Sequence, residues 1–116
     1  MASTRREQRE DARLRIMRLL VESPNLSTRQ IADAVGISHG SAYYVVSALI
    51  DKGFVKIGNF TRSNRKGQYA YLLTRRGLRE KAILTQSFIV RKRVEYEALR
   101  SEIEELEREV EEGKNV

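Results

Sequence analysis

Side chains able to do covalent or acid–base chemistry are few in this sequence. His39 is the single histidine in 116 residues, and cysteine is absent. One imidazole without companion ligands builds no metal site. With no thiol and no Gly-rich phosphate loop, little is left for nucleophilic catalysis. Zero cysteine also excludes disulfides. The expectation is a non-enzyme with neither cofactor nor metal.

The residues offer instead the chemistry of polyanion binding. The net charge is +6 and the sequence pI about 9.9. Residues 1–90 hold 16 Lys+Arg against 7 Asp+Glu, and residues 91–116 hold 6 against 9, so the two parts carry +9 and −3. A basic domain suggests nucleic acid. Three groups could contact it. The first is Ser38, His39, Gly40, Ser41, Tyr43, Tyr44 and Ser47. Hydroxyls there can bond phosphates or bases, rings can pack on thymine methyls, and Gly40 permits close backbone approach. The group holds no Arg, Lys, Asn or Gln, the side chains of bidentate base contacts. Modest direct readout follows, with affinity supplied from elsewhere. The second group, Lys56, Arg62, Ser63, Asn64, Arg65 and Lys66, is basic with no acidic residue among it. Such a group lies along the DNA backbone or enters a minor groove, or else keeps an edge strand soluble. The third, Ser27, Thr28, Arg29 and Gln30, offers phosphate a helix N-terminus. Arg5 and Arg6 read equally as a loose basic arm or a solvated tail. Arg75, Arg76, Arg79 and Lys81 either reach phosphate or face water.

The elements that must position these groups follow from hydrophobic period and caps. Glu7 to Glu22 reads as a first helix with a broad apolar stripe of Ala12, Leu14, Ile16, Met17, Leu19, Leu20 and Val21, stopped by Pro24. Ser27 to Gln30 is a capping box for a short second helix whose Ile31, Ala32 and Val35 face inward. Gly36 ends it in a left-handed conformation. Ser38 caps a third helix running to about Lys52, with Ala42, Val45, Val46 and Leu49 toward the core, so the first group of contact residues lies on the opposite face. Phe54 to Phe60 and Tyr69 to Leu73 read as two strands of a hairpin with a polar tip at 61–67. Thr74 caps a long helix from about Arg75 to Glu112. The predicted fold is mainly α with a small β-hairpin: a winged helix-turn-helix domain over residues 1–82, followed by a C-terminal dimerisation helix over 83–116 that continues the last helix of the domain.

The turn supports this reading most directly. Ile31, Ala32, Val35, Gly36, Ile37, Ala42, Val45 and Leu49 are small or apolar where two crossing helices require it. Residues 27–77 resemble the winged-helix DNA-binding domain of MarR-superfamily transcription regulators, through Ile31-Ala32, Gly36-Ile37-Ser38, Leu49-Ile50-Asp51-Lys52-Gly53-Phe54-Val55 and Leu73-Thr74-Arg75-Arg76-Gly77. Ile37-Ser38-His39-Gly40 through Tyr44, Ala48 to Gly53, Tyr69 to Thr74 and Tyr96-Glu97-Ala98-Leu99 resemble more narrowly the short subgroup labelled EPS-associated (exopolysaccharide). The resemblance implies a DNA-binding regulator. The sequence departs from it at Tyr44, where many members carry Arg, and in the wing, which has no Asp between Lys52 and Glu80.

The C-terminal segment suggests a partner of its own kind. Leu99, Ile103, Leu106 and Val110 form a heptad seam with Leu at d and Ile or Val at a, a choice favouring two parallel strands. Upstream it runs through Tyr96 and Ile89 but meets Lys92 and Thr85. Glu95 could meet Arg100 across a parallel pair, while Glu102 would meet Glu107, so these charges leave orientation open. Leu84, Phe88 and Ile89 are expected to bridge to the domain core. Packing of the stripe on the first helix of the same or another subunit stays an alternative.

The combined expectation is a homodimeric, sequence-specific double-stranded DNA-binding regulator, acting as a repressor on a pseudo-palindromic operator. A two-fold pair would set its reading helices about one DNA turn, roughly 34 Å, apart. A winged-helix protein-interaction module and a non-specific architectural DNA binder are the alternatives. No stretch approaches the ~18 apolar residues of a membrane span, and the first 15 residues lack a secretory signal. No membrane association and a cytoplasmic, nucleoid-associated location are therefore expected. No polar constellation identifies a small-molecule effector.

Overall fold

The computed structural model describes residues 4–59 and 69–116. Its elements are α1 (Arg5–Glu22), α2 (Thr28–Val35), α3 (His39–Asp51), β1 (Val55–Asn59), β2 (Tyr69–Leu73) and α4 (Arg75–Lys114). They form two compact units, Met1–Thr85 and Gln86–Val116. The wing-tip residues Arg62, Ser63, Asn64, Arg65 and Lys66 lie outside the described residues.

Helix α1 starts earlier than expected from Glu7. Thr4 is its N-cap: the Thr4 hydroxyl accepts from Glu7 N at 3.2 Å, and the Glu7 carboxylate accepts from Thr4 N at 3.4 Å. This capping box satisfies two N–H groups that would otherwise lack partners. It draws Arg5 and Arg6 into the helix, so they are not a loose arm. Leu14, Ile16, Met17 and Leu20 are buried, while Ala12 and Leu19 are half-buried. Val21 belonged to the expected stripe but is exposed. One residue beyond Leu20 is a turn of about 100° around the helix, which carries it off the inward face.

Ser27 caps α2 as its spacing requires, its hydroxyl accepting from Gln30 N at 3.1 Å, while Gln30 Oε1 accepts from Ser27 N at 2.9 Å. At the other end Gly36 takes φ +80°, a left-handed conformation costly for residues with a Cβ. The N–H groups of Gly36 and Ile37 both donate to Ala32 O, at 2.8 and 3.0 Å, closing the turn. Ile31, Ala32, Ala42, Val46, Leu49, Val55 and Ala70 join the α1 residues in the core. Val35 and Val45, both expected to face inward, are half-buried.

The hairpin is antiparallel, with Val55 opposite Leu73 and Asn59 opposite Tyr69. Tyr71 N donates to Pro24 O at 2.8 Å, which ties β2 to the connection between α1 and α2. Thr74 joins the hairpin base to α4: its hydroxyl donates to Gly53 O at 2.6 Å and accepts from Gly77 N at 3.0 Å. A Cβ at Gly77 would collide with the Phe54 carbonyl oxygen, so only glycine allows α4 this close to the strand.

Candidate nucleic-acid interface

The packing of α2 on α3 decides which face of α3 is free. Ala32 and Ala42 are fully buried, and such small residues let the two helices cross closely. Because Ala42, Val46 and Leu49 point inward, Tyr43 and Tyr44 point out, 67% and 73% exposed. His39, Gly40 and Ser41 are exposed beside them, and Ser47 is half-buried. Ser38 is exposed at the N-cap: its hydroxyl accepts from Ser41 N at 3.1 Å and donates to Ser41 Oγ at 2.9 Å. The predicted recognition residues therefore form one continuous patch, except that Ser47 lies at its margin.

One of these residues, His39, is engaged within the chain in a way the spacing did not show. His39 Nε2 lies 3.6 Å from Asp33 Oδ1, linking the start of α3 to α2. Both groups are more than half exposed, so the pair contributes little to stability. At the third group the side chains of Ser27 and Gln30 are spent on their own capping box. That leaves Arg29, exposed and without an ion pair among the described residues, as the charge of that corner.

Lys56 is exposed on β1 and Ile57 beside it is 53% exposed. Of the cations after the hairpin, the Arg76 guanidinium sits over the Phe54 ring at 5.6 Å. This cation–π contact gives Arg76 a packing role, and Arg75 and Arg79 are exposed.

A feature unseen in the sequence is a cleft of about 890 Å³ along the outer side of α3. One wall carries Arg5, Arg6, Arg9 and Arg13 of α1. Ile37, Val45 and Ala48 give it an apolar floor, and Tyr44 and Lys52 also line it. The Thr4-x-x-Glu7 capping signal could have located the helical arginines. Their meeting with α3 could not be read locally.

In the C-terminal unit the seam residues Leu99, Ile103, Leu106 and Val110 are 51–60% exposed, and Tyr96 and Ile89 are also exposed. Phe88 is half-buried, with Lys92 Nζ 5.1 Å from its ring centroid. Leu84, named with the dimer residues and also expected to bridge to the domain core, is buried within its own chain. Val90 and Val94 are exposed on the side of the helix away from the seam. Among the described residues no helix is long and apolar enough to cross a membrane.

Residues 9–56, from within α1 to the start of β1, match the family described as winged helix-turn-helix DNA-binding. No curated protein matches the sequence. Solved structures share the fold. A MarR/EmrR family transcriptional regulator from Acinetobacter sp. ADP1 superposes with TM-score 0.58 at 20% identity, over 86% of this chain and 75% of that one. The adhesin competence repressor of Streptococcus pyogenes gives TM-score 0.62 at 18% identity, over 78% and 66%. Staphylococcus aureus MarR, solved with salicylate and kanamycin, gives 0.53 at 17%, over 71% and 53%. The chain thus spans from about half to three quarters of the length of these structures.

Proposed function

We propose that this chain, which has a winged helix-turn-helix segment of the DNA-binding type and the fold of MarR-family regulators, is a non-enzymatic, sequence-specific regulator of transcription. It binds double-stranded DNA as a homodimer and represses by occupying a pseudo-palindromic operator. The carrying observation is the outer face of α3, where Gly40, Ser41, Tyr43 and Tyr44 are exposed together at the N-terminal half of the helix. That end of a recognition helix commonly meets base edges. Gly40 supports the reading independently. It lies in the first turn of α3 without a positive φ, and a Cβ there would meet nothing within 4 Å. The chain's own packing therefore does not require glycine, whereas close approach of another backbone would.

The dimer is proposed to form through α4. Its seam is exposed in the single chain, and the helix runs to Lys114, two residues beyond its expected end. Continuing the register places Glu95, Glu102 and Glu109 at g, and Arg93, Arg100, Glu107 and Lys114 at e. An antiparallel pair sets g against g, Glu against Glu. A parallel pair sets g against the next e, matching Glu95 with Arg100 and Glu109 with Lys114 and opposing only Glu102 with Glu107. Arg100 and Lys114 also pair with Glu104 and Glu111 on their own helix at 3.4 and 3.6 Å. Such exposed pairs are weak and exchange readily. The parallel arrangement is favoured.

Fluorescence anisotropy tests the function, using the duplex upstream of the chain's own gene, a random duplex of equal length, and a salt series. A specific regulator binds the first more tightly, by a factor of about 10³ or more if that duplex holds its operator. Equal and steeply salt-dependent binding to both supports a non-specific architectural role. No binding at low salt transfers the exposed tyrosines to a protein partner.

A further inference from the structure

We propose that the arginine row of α1 is a second phosphate-binding track, holding the DNA strand that borders the groove entered by α3. The proposal rests on the DNA-binding reading and adds a site to it. Arg5, Arg9 and Arg13 recur every fourth residue. On an α-helix that spacing sets them along one side at steps of about 6 Å. The Thr4 capping box makes the row possible by starting the helix before Arg5.

Three features point to a nucleic-acid strand as the occupant. First, the row forms one wall of the α1–α3 cleft, and Gly40, Ser41 and Tyr44 from the reading face of α3 line the same cleft. A duplex docked on that face brings a phosphate strand to it. Second, the charge is uncommitted. Arg5, Arg9, Arg13 and Lys52 make no ion pair among the described residues. Glu10, the single acidic residue lining the cleft, lies 3.5 Å from Arg6. Third, the reading face itself has no cation, so backbone affinity must come from neighbouring elements. The floor of Ile37, Val45 and Ala48 suits the apolar edges of sugars, while arginine at the rim reaches phosphate oxygens with paired N–H donors.

The test compares wild type with an Arg5→Gln/Arg9→Gln/Arg13→Gln variant of the full chain on both duplexes across a salt series. A second variant carries Lys at the same three positions. Circular dichroism with thermal melting reports folding for each. The expected result is a drop in the slope of log K against log salt of about 2–3 per bound chain, since each phosphate contact contributes about 0.9. Affinity falls roughly tenfold or more on both DNAs alike, and the Lys variant recovers the slope because charge is retained. If wild type binds and the folded Gln variant keeps the same slope and affinity, the row is off the DNA and the proposal is overturned. A Gln variant that loses affinity without a change in slope overturns it equally. If wild type binds neither duplex, the DNA-binding reading itself fails.

Discussion

At single residues, two helical glycines separate docking from packing. Gly40 has open space where a Cβ would be, and Gly77 has the Phe54 carbonyl there. Alanine favours helix over glycine by up to about 1 kcal/mol. Gly40→Ala should therefore raise the melting temperature while weakening DNA binding, and a variant that is stabilised yet binds unchanged would deny close approach at that position. Gly77→Ala should do the opposite, costing about 2 kcal/mol through a forced backbone shift. Chemical denaturation measures it, and a loss below ~0.5 kcal/mol would mean the α4–hairpin contact yields easily. In the proposed complex Tyr43 and Tyr44 would act through hydroxyl and ring together. Changing either to Phe should alter preference between operator and random DNA, and equal weakening on both would limit the hydroxyls to phosphate contact.

Among the elements, α4 carries the proposed pairing. Ile103 and Leu106 are more than half exposed, so replacing both with Lys removes seam contacts without opening the core. Sedimentation should then report a monomer with the wild-type melting temperature of the winged-helix unit. A variant that remains dimeric would move the interface to another surface. The proposed parallel pair makes a separate prediction. Gly113 falls at a d position, and the chain has no cysteine of its own. Gly113→Cys should oxidise readily to a covalent dimer, because equivalent d residues of a parallel pair face each other. An antiparallel pair would keep the two thiols apart and leave the protein uncrosslinked.

Across the whole molecule, opposite charge is divided between two tasks, with +9 in residues 1–90 and −3 in residues 91–116. The basic part is suited to phosphate, and the acidic part discourages the C-terminal helix from lying along DNA. In the proposed dimer, joining two weak readers would compensate for a face that lacks bidentate side chains, since the second half-site would be met at a high effective concentration. The Ile103→Lys/Leu106→Lys variant should lose more affinity for a two-site operator than for random DNA. An equal loss on both would mean that pairing contributes nothing to selectivity.

The sequence by itself determined several features that depend on residues within about one helical turn. The capping box of Ser27 and Gln30, the left-handed Gly36, the hydroxyl cap at Thr74 and the outward tyrosines of α3 lie where their spacing put them. These are short-range effects, and a helix or strand reads them from immediate neighbours. The start of α1 was legible too, in Thr4 and Glu7, but its weight lay in what it brought along. Only the tertiary structure decided that Arg5 to Arg13 face the outer side of α3, that His39 meets Asp33 and that Gly77 rests on Phe54. Those contacts join groups that share no helical turn, or no element at all. Their distances are set by how the core packs, and hydrophobic period says which face turns inward but not which neighbour it meets.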